Sequence, residues 1–172
     1  MKNVLAGMLI VGLVYTSSAQ AAPPAAARQP LYLGAGLSEN SVSGWGNATG
    51  FQFFGGYNFG RINPGVRTPI DFAVEGGYMD TGDFQRLVDT PGGAMIVDNR
   101  YQGPWVNGVF TLPLNHEVDL LGRVGADLGD DSGLMGGIGV GINMSHDAQL
   151  RFEYVTRQTV DSLQANLVFY PD

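Results

Sequence analysis

From Leu31 onward, apolar and polar positions alternate with period two, and turn residues break the alternation at intervals. Leu31, Leu33, Ala35 and Leu37 stand against Tyr32, Gly34, Gly36 and Ser38. Phe51, Phe53, Tyr57 and Phe59 share one face of a second run, with Gln52, Gly56 and Asn58 opposite. A third run sets Ile70, Phe72, Val74, Gly76 and Tyr78 against Asp71, Ala73, Glu75 and Gly77. In the fourth, between Pro104 and Pro113, Val106, Phe110 and Leu112 oppose Asn107, Val109 and Thr111. The pattern continues through Val118 to Leu128, Leu134 to Met144, Leu150 to Tyr154 and Leu163 to Phe169. The reading is all-β: about eight strands of roughly 9–11 residues, the length a tilted strand needs to cross a bilayer.

The connections alternate in length. Gly60 to Pro69, Asn115-His116 and Ser145 to Ala148 are expected at one end of a closed up-and-down barrel. Glu39 to Thr49, the long Asp80 to Arg100 segment, Gly129 to Gly133 and Arg157 to Asp161 are expected at the other. Short periplasmic turns and longer surface loops are the pattern of outer-membrane barrels.

Alternation alone does not say which face meets solvent. The polar face is poor in long charged side chains and rich in glycine, unlike a solvated surface. The apolar face carries Phe51, Phe53, Phe59, Phe72, Phe110, Phe152 and Phe169, too much bulk for an eight-stranded interior that side chains only just fill. The apolar face is therefore expected to meet lipid. Tyr57, Phe59, Phe169 and Tyr170 are expected at the periplasmic rim, with Tyr78 and Tyr154 towards the other.

The first residues change the picture by adding export. Lys2 precedes a short apolar core, Val4 to Tyr15, and Ala19-Gln20-Ala21 supplies small residues at cleavage spacing. The expected organisation is a signal peptide over 1–21, a Pro/Ala-rich lead-in over 22–30 and a barrel over 31–172, in a bacterial outer membrane. A net charge of -7, with Lys2 the one lysine, argues against nucleic acid as a partner. The absence of cysteine excludes disulfides, thiolate metal sites and thiol nucleophiles.

The mature chain resembles the OmpA/OmpX-type outer-membrane β-barrel superfamily over about Leu31 to Tyr170. The likeness rests on Tyr32-Leu33-Gly34-Ala35-Gly36, on Phe54-Gly55-Gly56-Tyr57-Asn58-Phe59, and on Gly137-Ile138-Gly139-Val140-Gly141 running into Leu150-Arg151-Phe152-Glu153-Tyr154. It implies a closed barrel of eight antiparallel strands in the outer membrane of a Gram-negative bacterium, and a structural, adhesin or host-interaction role. Family members commonly end on an aromatic residue read by the barrel-assembly machinery; here Pro171 and Asp172 follow Phe169 and Tyr170.

Glu75, Arg123, Arg151 and Glu153 fall on inward parity, with Asp119 and Asp127 nearby. Buried charges are costly unless paired, so these residues predict a lumenal salt-bridge network that plugs the barrel. A narrow ion path is the alternative for the same residues. Trp45, Phe84, Leu87, Met95 and Ile96 are apolar residues in the two longest expected surface loops, where recognition of a host or surface ligand would lie. Outer-membrane lipid and lipopolysaccharide are the other expected partners. Asp80, Asp83, Asp89, Asp98, Asp130 and Asp131 match no EF-hand spacing and read as turn residues, so neither metal nor cofactor is expected. His116 and His146 fall in the short turns, away from any nucleophile, so no catalytic residues are expected. A non-enzymatic barrel is thus the leading expectation. The alternatives are a lipid-modifying barrel enzyme, an exported soluble lipocalin-like barrel and a small-solute channel.

Overall fold

A computed structural model describes residues 30–62, 69–91 and 93–171. The expected signal peptide and nearly all of the lead-in lie outside the described residues. The strands are β1 (Leu31–Val42), β2 (Asn47–Ile62), β3 (Ile70–Asp80), β4 (Phe84–Thr90), β5 (Gly93–Asn99), β6 (Gln102–Pro113), β7 (Val118–Asp127), β8 (Gly133–Asn143), β9 (Ala148–Thr156) and β10 (Val160–Phe169). Eight of them close a barrel in the order β1-β10-β9-β8-β7-β6-β3-β2, each antiparallel to its neighbours, so the first and last strands pair directly. Closure leaves no free edge, which satisfies the backbone without water.

The Asp80 to Arg100 segment is not the open loop expected. β4 and β5 form a separate two-stranded hairpin above the barrel, with Leu87 opposite Ile96 and Val88 opposite Met95. The Glu39 to Thr49 loop is also shorter than expected, because β1 runs to Val42 and β2 starts at Asn47. One irregularity interrupts the β2–β3 ladder between Asn58 and Gly60. Gly60 takes φ +86° there, and its N–H donates to the Asn58 side chain at 2.7 Å. Only glycine adopts that backbone readily, which fits it to a bulge.

The faces divide as the alternation predicts. Leu33, Phe53, Val74, Leu120, Ile138, Phe152 and Leu167 point outward and are exposed, while Glu75, Arg123 and Glu153 are buried inside. Inward glycines make room for large neighbours. A Cβ on Gly56 would fall 2.2 Å from the Tyr32 ring, and one on Gly34 would fall 2.2 Å from the Phe54 ring. One on Gly139 would lie 2.7 Å from Glu153 Cγ. On the outer wall, by contrast, a Cβ on Gly122 would meet nothing within 4 Å. The interior is a packed core built from bare wall on one strand and a large side chain from the next.

Candidate functional site: the lumenal ion network and the outer cap

Glu75 projects from the middle of β3 and is fully buried. It accepts from Arg151 Nη1 at 2.6 Å, from the Tyr32 hydroxyl at 2.8 Å and from Arg123 Nη2 at 3.2 Å. The same Arg123 nitrogen lies 2.6 Å from Glu153, which accepts from Asn166 at 3.0 Å. Gln52 donates to both Asn166 and Gln164, linking β2 to β10 within the same network. Four of the six predicted network residues, Glu75, Arg123, Arg151 and Glu153, are thus brought together directly. Asp119 joins from below: Gln149 donates to it at 2.7 Å and also accepts from Arg151 at 2.7 Å.

Asp127 does not belong to this cluster. It sits at the outer end of β7, where Arg157 reaches it at 3.1 Å. Arg157 also donates to Ser162, which donates in turn to Asn40. The alternating pattern placed Asp127 on the right face but could not show that β7 carries it a full barrel level above Arg123.

Several members were missed from the sequence. Tyr32, Gln52, Gln149, Gln164 and Asn166 all lie on inward parity and are almost fully buried, so the alternation itself carried the signal. Tyr170 corrects the expected aromatic belt. It continues the inward parity of Val168, packs 5.2 Å from the Tyr32 ring and is buried, while Phe169 stays outside.

Above the network, Phe84, Val42, Ala48 and Val160 form an apolar cap, with Trp45 and Tyr101 packed against it. Phe84 was expected as a surface-contact residue, yet it is 0% exposed. It comes from the base of the hairpin, while the other three come from the barrel wall. Trp45 is half-buried at the rim of this cap, whereas Leu87, Met95 and Ile96 remain exposed. The hairpin base is clasped by Arg100, which donates through Nε to Asp80 at 2.8 Å and through Nη2 to the other carboxylate oxygen. The Asp80 carboxylate raises the Arg100 guanidinium above its ordinary range. The loop acids otherwise fasten turns. Asp131 accepts from the Thr159 and Val160 amides, and Asp130 from the Gln102 amide. In the opposite turn, Asp147 accepts from the Ser145 hydroxyl, which holds its carboxyl below the usual carboxylate range. His146 is exposed there, its Nδ1 3.8 Å from Asp147, and His116 is exposed in its own turn.

A closed eight-stranded barrel with its apolar side chains outside and its ions inside is a membrane-spanning architecture, the inverse of a soluble barrel. The chain belongs to the family described as outer membrane protein beta-barrel domain, whose model matches residues 9–167, and its place is the bacterial outer membrane. Among solved structures, a designed transmembrane β-barrel matches with a TM-score of 0.54 and 11% identity, over 84% of this chain and 98% of that one. The attachment invasion locus protein Ail of Yersinia pestis matches at 0.45 and 18%, over 81% and 95%. Neisserial surface protein A matches at 0.47 and 17%, over 83% and 98%. No curated protein matches.

Proposed function

We propose that the protein is a non-enzymatic outer-membrane barrel with a plugged lumen, which meets partners outside the cell through the β4–β5 hairpin. The observation that carries this reading is the hairpin's exposed apolar surface. Leu87, Ile96 and Met95 are 67%, 60% and 55% exposed on an element that stands clear of the barrel sheet. A two-stranded ribbon is marginal by itself in water, and a partner covering these side chains would stabilise it. The hairpin's base is anchored by Phe84 and Arg100, so its tip is presented from a rigid support. The plug reading is supported by side chains lying across the inward glycines and by the paired charges between them.

The test uses cells producing either the wild-type protein or the Leu87→Ser/Ile96→Ser variant at equal surface level. Attachment to surfaces coated with host extracellular polypeptides is expected to fall several-fold in the variant. Unchanged attachment, with the hairpin still folded, would remove the hairpin from the role. The enzyme alternative is separated by mass spectrometry of lipid A from cells with and without the protein, where an altered acyl pattern would overturn the non-enzymatic reading. The channel alternative is separated by bilayer recordings, in which the wild-type barrel is expected to be closed.

A further inference from the structure

The two faces of the β4–β5 hairpin differ in chemistry. Residues directly opposite in an antiparallel pair share a face, and side chains alternate along each strand. The pairs Gln85 with Asp98, Leu87 with Ile96 and Asp89 with Ala94 therefore stand on one face, and all six residues are exposed. The other face carries Phe84, buried in the cap, and Val88 and Val97, half-buried. Arg86, the one cation between Phe84 and Asn99, stands opposite Val97 and so belongs to that other face. The solvent-turned face is thus an apolar pair, Leu87 and Ile96, with a carboxylate beyond it at each end. Asp89 lies two residues past Leu87 on β4, and Asp98 two past Ile96 on β5, which runs the opposite way. Four residue steps separate their levels, about 13 Å along the hairpin. Glu39, Asp83 and Asp130 add exposed carboxylates at the same end of the barrel.

We propose that this face docks a cationic amphipathic polypeptide, whose apolar side chains cover Leu87 and Ile96 while its lysines or arginines reach Asp89 and Asp98. Charge complementarity selects the partner. A wholly apolar partner would strip water from two carboxylates without pairing them, which is costly. A polyanion or an anionic lipid surface would be repelled by them. A basic partner pairs both carboxylates at the rim and leaves the centre to apolar contact, the division of labour found in protein interfaces. The spacing fits an extended segment with basic residues at i and i+4 and an apolar residue at i+2, all on one face. Leu87 and Ile96 then supply contact area, and the two aspartates supply selectivity and a salt-sensitive rate of encounter. The inference rests on the proposed extracellular role of the hairpin and names the class of partner it meets.

The test titrates the barrel, held in phosphatidylcholine nanodiscs, with a fluorescent synthetic peptide repeating lysine, serine, leucine, serine, and with a counterpart carrying glutamate for lysine. The lysine peptide is expected to bind wild type, less tightly as salt rises, and to be lost in Leu87→Ser/Ile96→Ser; the glutamate peptide is expected not to bind. Asp89→Asn/Asp98→Asn is expected to weaken the lysine peptide roughly two- to thirty-fold, the loss of two exposed ion pairs. Equal binding of the two peptides, no binding of the lysine peptide, or unchanged binding in either double variant overturns the proposal. Nanodiscs that co-sediment with phosphatidylglycerol vesicles also overturn it, by assigning the face to a lipid surface. Should the asparagine variant lose its hairpin, the comparison of the two peptides on wild type decides by itself. If cell attachment falls in the serine variant while the asparagine variant binds the lysine peptide as wild type does, the hairpin keeps its role and the charge selection falls. If attachment is unchanged in the serine variant, the extracellular role itself falls.

Discussion

Removing Arg123 should be costly, and the geometry says which group suffers. In Arg123→Met, Glu75 keeps Arg151 at 2.6 Å and the Tyr32 hydroxyl at 2.8 Å. Glu153 keeps only the Asn166 amide, at 3.0 Å, and becomes a buried carboxylate with no cation in contact. Breaking a buried pair in this way costs about 3–5 kcal/mol, equivalent to a hundred- to four-thousand-fold shift in the folding equilibrium. The penalty comes from the stranded charge and not from lost packing, because methionine retains most of the aliphatic stem. Adding Glu153→Gln to Arg123→Met should therefore restore stability to within about 1 kcal/mol of wild type. Urea unfolding from lipid vesicles, followed by tryptophan fluorescence, measures all three proteins and completes a double-mutant cycle with Glu153→Gln. If the single and double variants lose the same stability, the stranded-charge reasoning is wrong.

Other outcomes follow from the same geometry. Gly36→Ala places a methyl 2.4 Å from the Ala165 carbonyl oxygen, a backbone atom that cannot yield, and should cost about 1–3 kcal/mol, whereas Gly122→Ala on the open outer wall should be near neutral by the same unfolding assay. Ile138→Arg, facing lipid, should cost about 2–4 kcal/mol if it lies near the bilayer midplane, while Leu87→Arg on the hairpin should leave barrel stability unchanged. The Ser145 hydroxyl lowers the Asp147 carboxyl below its unfolded value, so its contribution is present at neutral pH and is lost as pH falls through the lowered value; Ser145→Ala should raise that value in a carboxyl-detected titration. Arg100→Ala should loosen the hairpin base and increase amide exchange at Thr81 and Tyr101, whose mutual bonds the clasp protects.

The barrel was legible in the sequence because its two faces meet media that could hardly differ more. Every wall strand has lipid on one side and a narrow core on the other, so period two survives even in β6, which contains Pro104 and Pro113. The hairpin was not legible for the opposite reason. Arg86-Leu87-Val88 and Met95-Ile96-Val97 are exposed or half-buried on both faces, so nothing imposes alternation on them. Phe84 looked like a contact residue because its burial depends on Val42, Ala48 and Val160, which three other strands bring together across more than a hundred positions of sequence. Asp127 pairs with Arg157 rather than Arg123, and in the sequence Arg157 falls in an expected loop. Parity gives a face but not a height, and height in a tilted barrel depends on registers that no single strand encodes.

That limit shows what the lumenal ions do for the fold. A one-residue slip between neighbouring strands would turn lipid-facing side chains into the core, and the hydrophobic pattern alone forbids it. A two-residue slip keeps every residue on its proper face, so the pattern cannot forbid that error. The interior can. With β2 displaced by two against β1 in one direction, Tyr32 and Phe54 would lose their glycines and face each other; in the other direction Phe54 would find Gly36, but Tyr32 would leave Gly56 for Asn58. With β9 displaced against β10, Glu153 would move away from Asn166, and Arg151 could not hold its place at Glu75. Glycine opposite ring and carboxylate against guanidinium are position-specific matches, whereas apolar against lipid is not. The buried charges are therefore best understood as the part of the sequence that selects one register among those the membrane would accept, and their cost of desolvation is offset only when that register is reached.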